Sequence, residues 1–295
     1  MPNALALLGM MLCSALTSCL KHNSEIFAVS TMKRRHLLEI HDQSWCPPGV
    51  RDGLTDLLRH AINKVDAFGP IIPRLLSAME RSRTRGLVDL CSGGGGPWPS
   101  LLPHLAGCDS GVDRVILTDL YPNLKALGAV QALDPGRVTI ENRPVSVLQV
   151  PSRLKGFRTQ FNAFHHFRPD EAQAILQNAV DSREGIGIFE LASRRPSTIG
   201  GMAMVSPMVA WWGTPLVRPL RPAAWFWTYY LPVLPVVFTI DGVVSCLRAY
   251  TCAELESMVE QLDDPFYHWD IGVHGKEPFE VTYLIGYPPG GRGSN

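Results

Sequence analysis

Reactive side chains in this chain fall into four groups. The first surrounds LCSGGGGP (residues 90–97), which directly follows the short apolar run GLVDL (86–90). Four consecutive glycines are entropically costly to order, so the stretch suits a place where a ligand meets bare main chain. A strand, then glycines, then a helix is the arrangement in which a nucleotide-like ligand lies over a helix N-terminus. The second is Asp119, 24 residues beyond Gly95, at the end of the apolar run RVILTDL (114–120). A carboxylate there can hydrogen-bond both hydroxyls of a ribose. The third comprises Asn162, His165 and His166 in FNAFHHF (161–167), Glu190 near the end of GIGIFELAS (185–193), and Asp241 after a long uncharged stretch. His165 is the preferred proton acceptor, because imidazole titrates near neutrality. Glu190 either orients a substrate or is an ordinary polar strand end. A carboxylate such as Asp241, next to apolar sequence, is either solvated at a boundary or aimed into a site. The fourth, Glu39, His41, Asp42 and Trp45 in EIHDQSWCPP (39–48), either folds over the ligand as a lid or forms a capped helix entry.

The surrounding periodicity says what holds these groups. Val50, Leu54, Leu57, Leu58, Ala61 and Ile62 mark one helix face, as do Leu101, Leu102 and Leu105, and Ala172, Ile175, Leu176, Ala179 and Val180. Pro103 is expected to kink its helix. Strand-like runs fall at 86–90, 114–123, 137–145, 159–167 and 185–193, and two more close the chain at 266–274 and 279–287. Strands alternating with helices predict right-handed crossovers and a doubly wound, mostly parallel α/β sheet. Thr251 and Glu254 form a capping box for a further helix.

Composition narrows the partners. Twenty-seven basic and 27 acidic residues leave a net charge of zero, so nothing favours nucleic acid. Seven cysteines without a C-x-x-C pair argue against a disulfide framework and a structural zinc site, and fit a reducing, cytoplasmic setting. No metal is expected from these spacings. Residues 1–34 form an apolar leader, with a dispensable or mis-assigned start, an anchor and an export signal all open. Residues 35–295 form one domain. Within it, 199–240 is rich in Trp, Tyr and Pro and nearly uncharged. Three readings stand for it: a cap forming an apolar acceptor pocket, a membrane-associated element, or plain core.

The acid before the glycine loop, the loop itself and Asp119 resemble the class I S-adenosylmethionine-dependent methyltransferases. Asp89 matches the acid two residues before that family's G-x-G-x-G loop, and Gly93 and Gly95 match its second and third glycines. Cys91 stands where the first glycine would be. Ser146 is nearest the position of the adenine-side acid, and FNAFHHF looks like the fourth-strand motif. The resemblance covers roughly residues 35–295 and implies a seven-stranded sheet ending in an antiparallel strand. It further implies S-adenosylmethionine as cofactor, with Asp89, Cys91, Gly93, Gly95, Asp119, Ser146 and Asn162 around it. His165, Glu190 and Asp241 are the catalytic candidates, and the acceptor is a small lipophilic molecule. A dinucleotide-binding oxidoreductase would need glycine at 98, where Trp98 stands and is expected to crowd the helix N-terminus. A non-catalytic membrane protein keeping the fold is the remaining alternative.

Overall fold

In the computed structural model, residues 32–106, 111–218, 220–276 and 280–289 are described; the expectations for residues 1–31 lie outside them. Four residues, with only Leu87 and Val88 as apolar side chains, suffice for the central strand β1 (Gly86–Asp89), because its neighbours cover it on both edges. It pairs in parallel with β2 (Arg114–Leu117) and β4 (Phe157–Phe161), with Val88 opposite Ile116 and Arg158. Strand β3 (Val138–Ile140) extends the β2 edge, and β5 (Ile186–Glu190) lies beyond β4. The last two strands, β6 (His268–His274) and β7 (Val281–Tyr287), complete the order β3-β2-β1-β4-β5-β7-β6, with β7 antiparallel to both neighbours. The expected sheet, including its antiparallel ending, is present.

Alternation along the strands divides the core in two. Leu87, Val115, Leu117, Phe157 and Phe189 point to one face, where they meet α2 (Ile72–Arg81), α3 (Trp98–Ala106) and α4 (Leu124–Gln131). Val88, Ile116, Ile186 and Ile188 point to the other, against α5 (Pro169–Asp181) and α9 (Cys252–Val259). Both faces are thus buried, which is why β2 and β5 read as largely apolar runs, whereas β4 buries Arg158, Thr159 and Gln160. Truncating one such side chain to Ala costs about 2–5 kcal/mol. Thr251 Oγ1 accepts from Glu254 N and Glu254 Oε2 accepts from Thr251 N, so the predicted capping box starts α9.

A third, smaller cluster stands apart from the sheet. It joins Val50, Leu54 and Leu57 of α1 (Pro48–Lys64) to Ala210 of α6 (Pro196–Gly213) and to Leu234 and Val237 of α8 (Val233–Arg248). Between them run a short α7 (Pro222–Trp225) and a π turn (Phe226–Tyr230). Among the described residues no single helix is long and apolar enough to cross a membrane; the pair Pro222–Tyr230 and Val233–Arg248 passes only jointly, bent by 87°.

Several expectations need correction, and the second, third and fifth strands end sooner than expected, at Leu117, Ile140 and Glu190. The fourth strand, expected at 159–167, begins earlier and ends at Phe161. Arg158 enters it because its buried guanidinium donates to Asn178 Oδ1 on α5. Asn162 stops it by turning left-handed at φ 49°, so His165 and His166 lie on a 3₁₀ turn (Phe164–His166). Asp241, expected just past the apolar insertion, sits inside α8, because the helix continues to Arg248. Its charge is accommodated by donors from residues 40–41. Helices α2 and α4 were not anticipated.

Candidate functional site

The glycine loop follows β1 at the carboxyl edge of the sheet. Cys91, Gly93, Gly95 and Gly96 all have positive φ (60°, 52°, 96° and 45°). A Cβ on Gly93 would meet nothing within 4 Å, so glycine is needed there for its backbone conformation, and the space beside it is open. At Gly95 a Cβ would approach Val130 Cγ2 to 2.5 Å, which the close packing of α4 forbids. Cys91 takes the left-handed conformation without being glycine, at a cost of about 1–2 kcal/mol. Burial pushes its thiol upward, so it remains protonated.

Polar side chains brace this loop. Asp89 is buried; one oxygen accepts from Ser92 Oγ at 2.6 Å and the other from Thr159 Oγ1 at 2.8 Å. Burial outweighs these donors and pushes its carboxyl up to about 6. From α1, Arg59 Nη1 donates to Gly94 O and Asn63 Nδ2 to Gly96 O. Across the loop, Asp119 Oδ2 accepts from Gly93 N at 2.7 Å and Oδ1 from Tyr121 N at 2.8 Å. A carboxylate has further lone pairs for a ribose. Beside Asp119, Leu120 and Tyr121 are exposed. Ser146 follows Val145, whose N–H donates to the backbone carbonyl of Asp119 at 2.9 Å, so the loop after β3 joins the main chain at Asp119. Trp98 does not crowd the helix N-terminus as expected: it is buried against Phe161, with ring centroids 5.9 Å apart.

Two strands away, past β4, stands a different assembly. His165 Nδ1 lies 2.6 Å from Glu190 Oε2, and Glu190 Oε1 accepts from Phe164 N at 2.7 Å. The segment 39–42 covers this pair. Glu39 is fully buried, with Oε1 3.2 Å from Arg248 Nη1 and accepting from Ser245 Oγ at 2.9 Å. Its two oxygens also lie 3.7 Å from the Nε2 atoms of His165 and His166. Asp42 Oδ2 lies 3.1 Å from His166 Nδ1. Asp241 accepts from Ile40 N and His41 N, and meets His41 Nδ1 at 2.9 Å. Arg51 on α1 fixes the same segment by donating to His41 O and Gln43 O.

Burial opposes every charge here, and the partners decide the outcome. Burial alone lowers His165, but Glu190 and then Glu39 raise it above the ordinary value. Burial alone raises Glu190, but His165 and Phe164 N hold it below the ordinary value. Asp42 is likewise pushed upward by burial, yet His166, His41 and Arg248 hold it at about 2.

The structure therefore brings Asp89, Cys91, Gly93, Gly95 and Asp119 to one crevice, with Ser146 one residue past the backbone contact to Asp119, and His165, Glu190 and Asp241 to one buried cluster. Asn162 stands between them at the end of β4, where its Oδ1 accepts from Leu191 N at 2.8 Å. Adjacent strands lie about 4.8 Å apart, so two strand spacings separate the edges by about 10 Å. Sequence reasoning missed Arg248, Arg59 and Asn63. Arg34 was missed too; it donates to Phe167 O and Arg248 O and stacks 4.0 Å over Tyr250. The sequence signals of the buried cluster were His165, His166, Glu190 and Asp241 as separate candidates and EIHD at 39–42 as a segment, with nothing to join them.

No family model and no curated protein matches this chain. Among solved structures it is similar to the plantazolicin methyltransferase BpumL in complex with SAH. The identity is 10%, covering 84% of this chain and 94% of that one at a TM-score of 0.52. It is also similar to PigF with SAH (16% identity, 83% and 62% covered, TM-score 0.48). A third is the pyocyanin biosynthetic protein PhzM (15%, 77% and 56%, 0.47). The chain thus spans less than two thirds of the last two. The likeness to BpumL, with the strand order above, establishes the fold.

Proposed function

From a chain with the fold of the class I S-adenosylmethionine-dependent methyltransferases, we propose an enzyme of that activity, moving the methyl group of S-adenosylmethionine to a small lipophilic acceptor. The observation that carries this reading is the crevice at Gly93: open space beside a left-handed glycine whose N–H is held by Asp119. A cofactor without phosphates asks for bare main chain and a ribose carboxylate, and both are there. Leu120 and Tyr121 supply exposed apolar surface for the purine.

Methyl transfer is an in-line displacement on a carbon already activated by positive sulfur, so alignment supplies much of the rate, about 7–11 kcal/mol when reactants are well oriented. In this reading His165 takes the acceptor's proton through Nε2, since Glu190 engages Nδ1. A base adds about 10²–10⁴-fold. Asp241 positions: its oxygens hold the backbone of Ile40 and His41, and so Glu39, over His165.

Lipophilicity is supported by the cap. Met204, Met208, Trp211 and Trp212 lie on one exposed stripe of α6, and Trp225 and Tyr230 are exposed beside it. The same surface suits contact with a membrane, and the cysteine spacing is the ground for a cytoplasmic setting. Labelled S-adenosylmethionine offered with lipophilic phenols, quinones and fatty acids should give a methylated product. Thermal stabilisation by NAD and none by S-adenosylhomocysteine would favour the oxidoreductase alternative instead. Purification without detergent tests the membrane contact.

A further inference from the structure

We propose that Glu39, His165 and His166 bind one divalent transition-metal ion of the zinc class. Two deeply buried acceptor atoms in the cluster make no hydrogen bond, Glu39 Oε2 and His165 Nε2, alongside one donor, Arg248 Nε. Glu39 and His165 are both at least nine-tenths buried. A carboxylate oxygen and an imidazole nitrogen left idle in a dry interior are costly, and an ion between them satisfies both at once.

The second ligand sphere is already built. His165 Nδ1 is engaged by Glu190 at 2.6 Å and His166 Nδ1 by Asp42 at 3.1 Å. Carboxylates on both Nδ1 atoms fix the tautomers so that both Nε2 lone pairs face Glu39, the carboxylate–histidine arrangement that supports metal ligation. Each Nε2 lies 3.7 Å from a Glu39 oxygen, and the three donor atoms lie within 4.8 Å of one another. Metal–ligand bonds of about 2.1 Å put tetrahedral donors about 3.4 Å apart, so little movement closes the site.

Charge points the same way. Four carboxylates (Glu39, Asp42, Glu190, Asp241) converge here, and Arg248 is the arginine that reaches Glu39. Arg248 engages Glu39 Oε1 and leaves Oε2 to the ion. Two imidazoles and one carboxylate suit zinc, ferrous iron or nickel over calcium or magnesium. The cysteine spacing spoke only against a thiolate site. His41, which also lies near Glu39, has one nitrogen on Asp241 and the other 3.3 Å from Asp42, so it is not counted as a ligand. Three protein donors keep a coordination position open for an acceptor oxygen. With an ion bound, Nε2 of His165 is a ligand and is not free to take the acceptor's proton, so ion binding and the base role assigned above exclude each other at that atom. The site does not depend on the methyltransferase reading.

The test uses the full chain stripped with chelator and titrated with Zn²⁺ by calorimetry, then with Co²⁺ followed by visible absorption. The expected result is one ion per chain and cobalt bands of low coordination number. Affinity should fall at least 100-fold in His165→Ala, His166→Ala and Glu39→Gln. His104→Ala, a surface histidine paired with Asp66, should bind as the parent does. His166 is partly exposed, so its variant should fold even where the other two do not; circular dichroism checks this. No binding by the parent chain, or undiminished affinity in folded His166→Ala, overturns the proposal. Binding of S-adenosylhomocysteine, measured separately, reports on the methyltransferase reading alone.

Discussion

The two ends of the reactive edge are built on opposite principles. At β1–β2 the surface is open, the backbone carries the contacts, and a single carboxylate on a main-chain N–H faces the space. At β4–β5 the charges are buried and most polar atoms are held by side chains or backbone N–H groups, Glu39 Oε2 and His165 Nε2 being exceptions. The first kind of site selects a ligand by shape and directed hydrogen bonds. The second stores electrostatic potential: its groups are worth more because water is excluded, and each depends on the others remaining in place.

That contrast ranks the expected effects of substitution. Arg248→Met should be the most damaging, since it strands Glu39 as a buried carboxylate without its arginine; removing one partner of such a pair costs about 3–5 kcal/mol. Urea unfolding measures it, and a loss under 1 kcal/mol would mean the cluster is wetter than its burial indicates. The crevice side should respond to pH through Asp89. Its folded carboxyl stands at about 6, above the ordinary 3.8 of an aspartate. Because the folded value is the higher, the associated stability is fully present below about pH 4 and is lost as pH rises through 6. The two-unit difference corresponds to about 3 kcal/mol. Asp89→Asn should flatten the apoprotein's stability profile between pH 4 and 7 relative to the parent; parallel profiles would remove the assignment. Cys91→Gly should have the smallest effect, under about 1 kcal/mol, as relief of the left-handed strain offsets the added freedom of the unfolded chain. Differential scanning calorimetry resolves a shift of that size, and a larger loss would show that the Cys91 side chain is needed for packing.

The same contrast explains what could be read from the sequence. The glycine loop and Asp119 were legible because each is local: a strand end followed by its turn, with the interval between them set by one crossover. The Asp89 hydroxyl partners were not, because Thr159 comes from a strand 70 residues away. The buried cluster is less local still. Glu39 meets Ser245 across 206 positions, and Asp241 meets Ile40 across 201. No periodicity links such residues, so Arg248 was invisible and the EIHD segment could be either a lid or a helix entry. Strand four was misplaced because a polar Arg158 hid its start and FNAFHHF, apolar at every second or third residue, continued the pattern past its true end at Asn162.

The central claim is that the bare backbone at Gly93, with Asp119 beside it, receives the adenosyl sulfonium. Calorimetric titration of S-adenosylhomocysteine into the parent chain, Asp119→Ala and His165→Ala tests it most directly. The account predicts one site per chain. Asp119→Ala should weaken it by about 10- to 100-fold, the equivalent of hydrogen bonds to a charged group, while His165→Ala leaves it within about twofold. Equal affinity in the parent and a folded Asp119→Ala, or no binding by the parent at all, would contradict it.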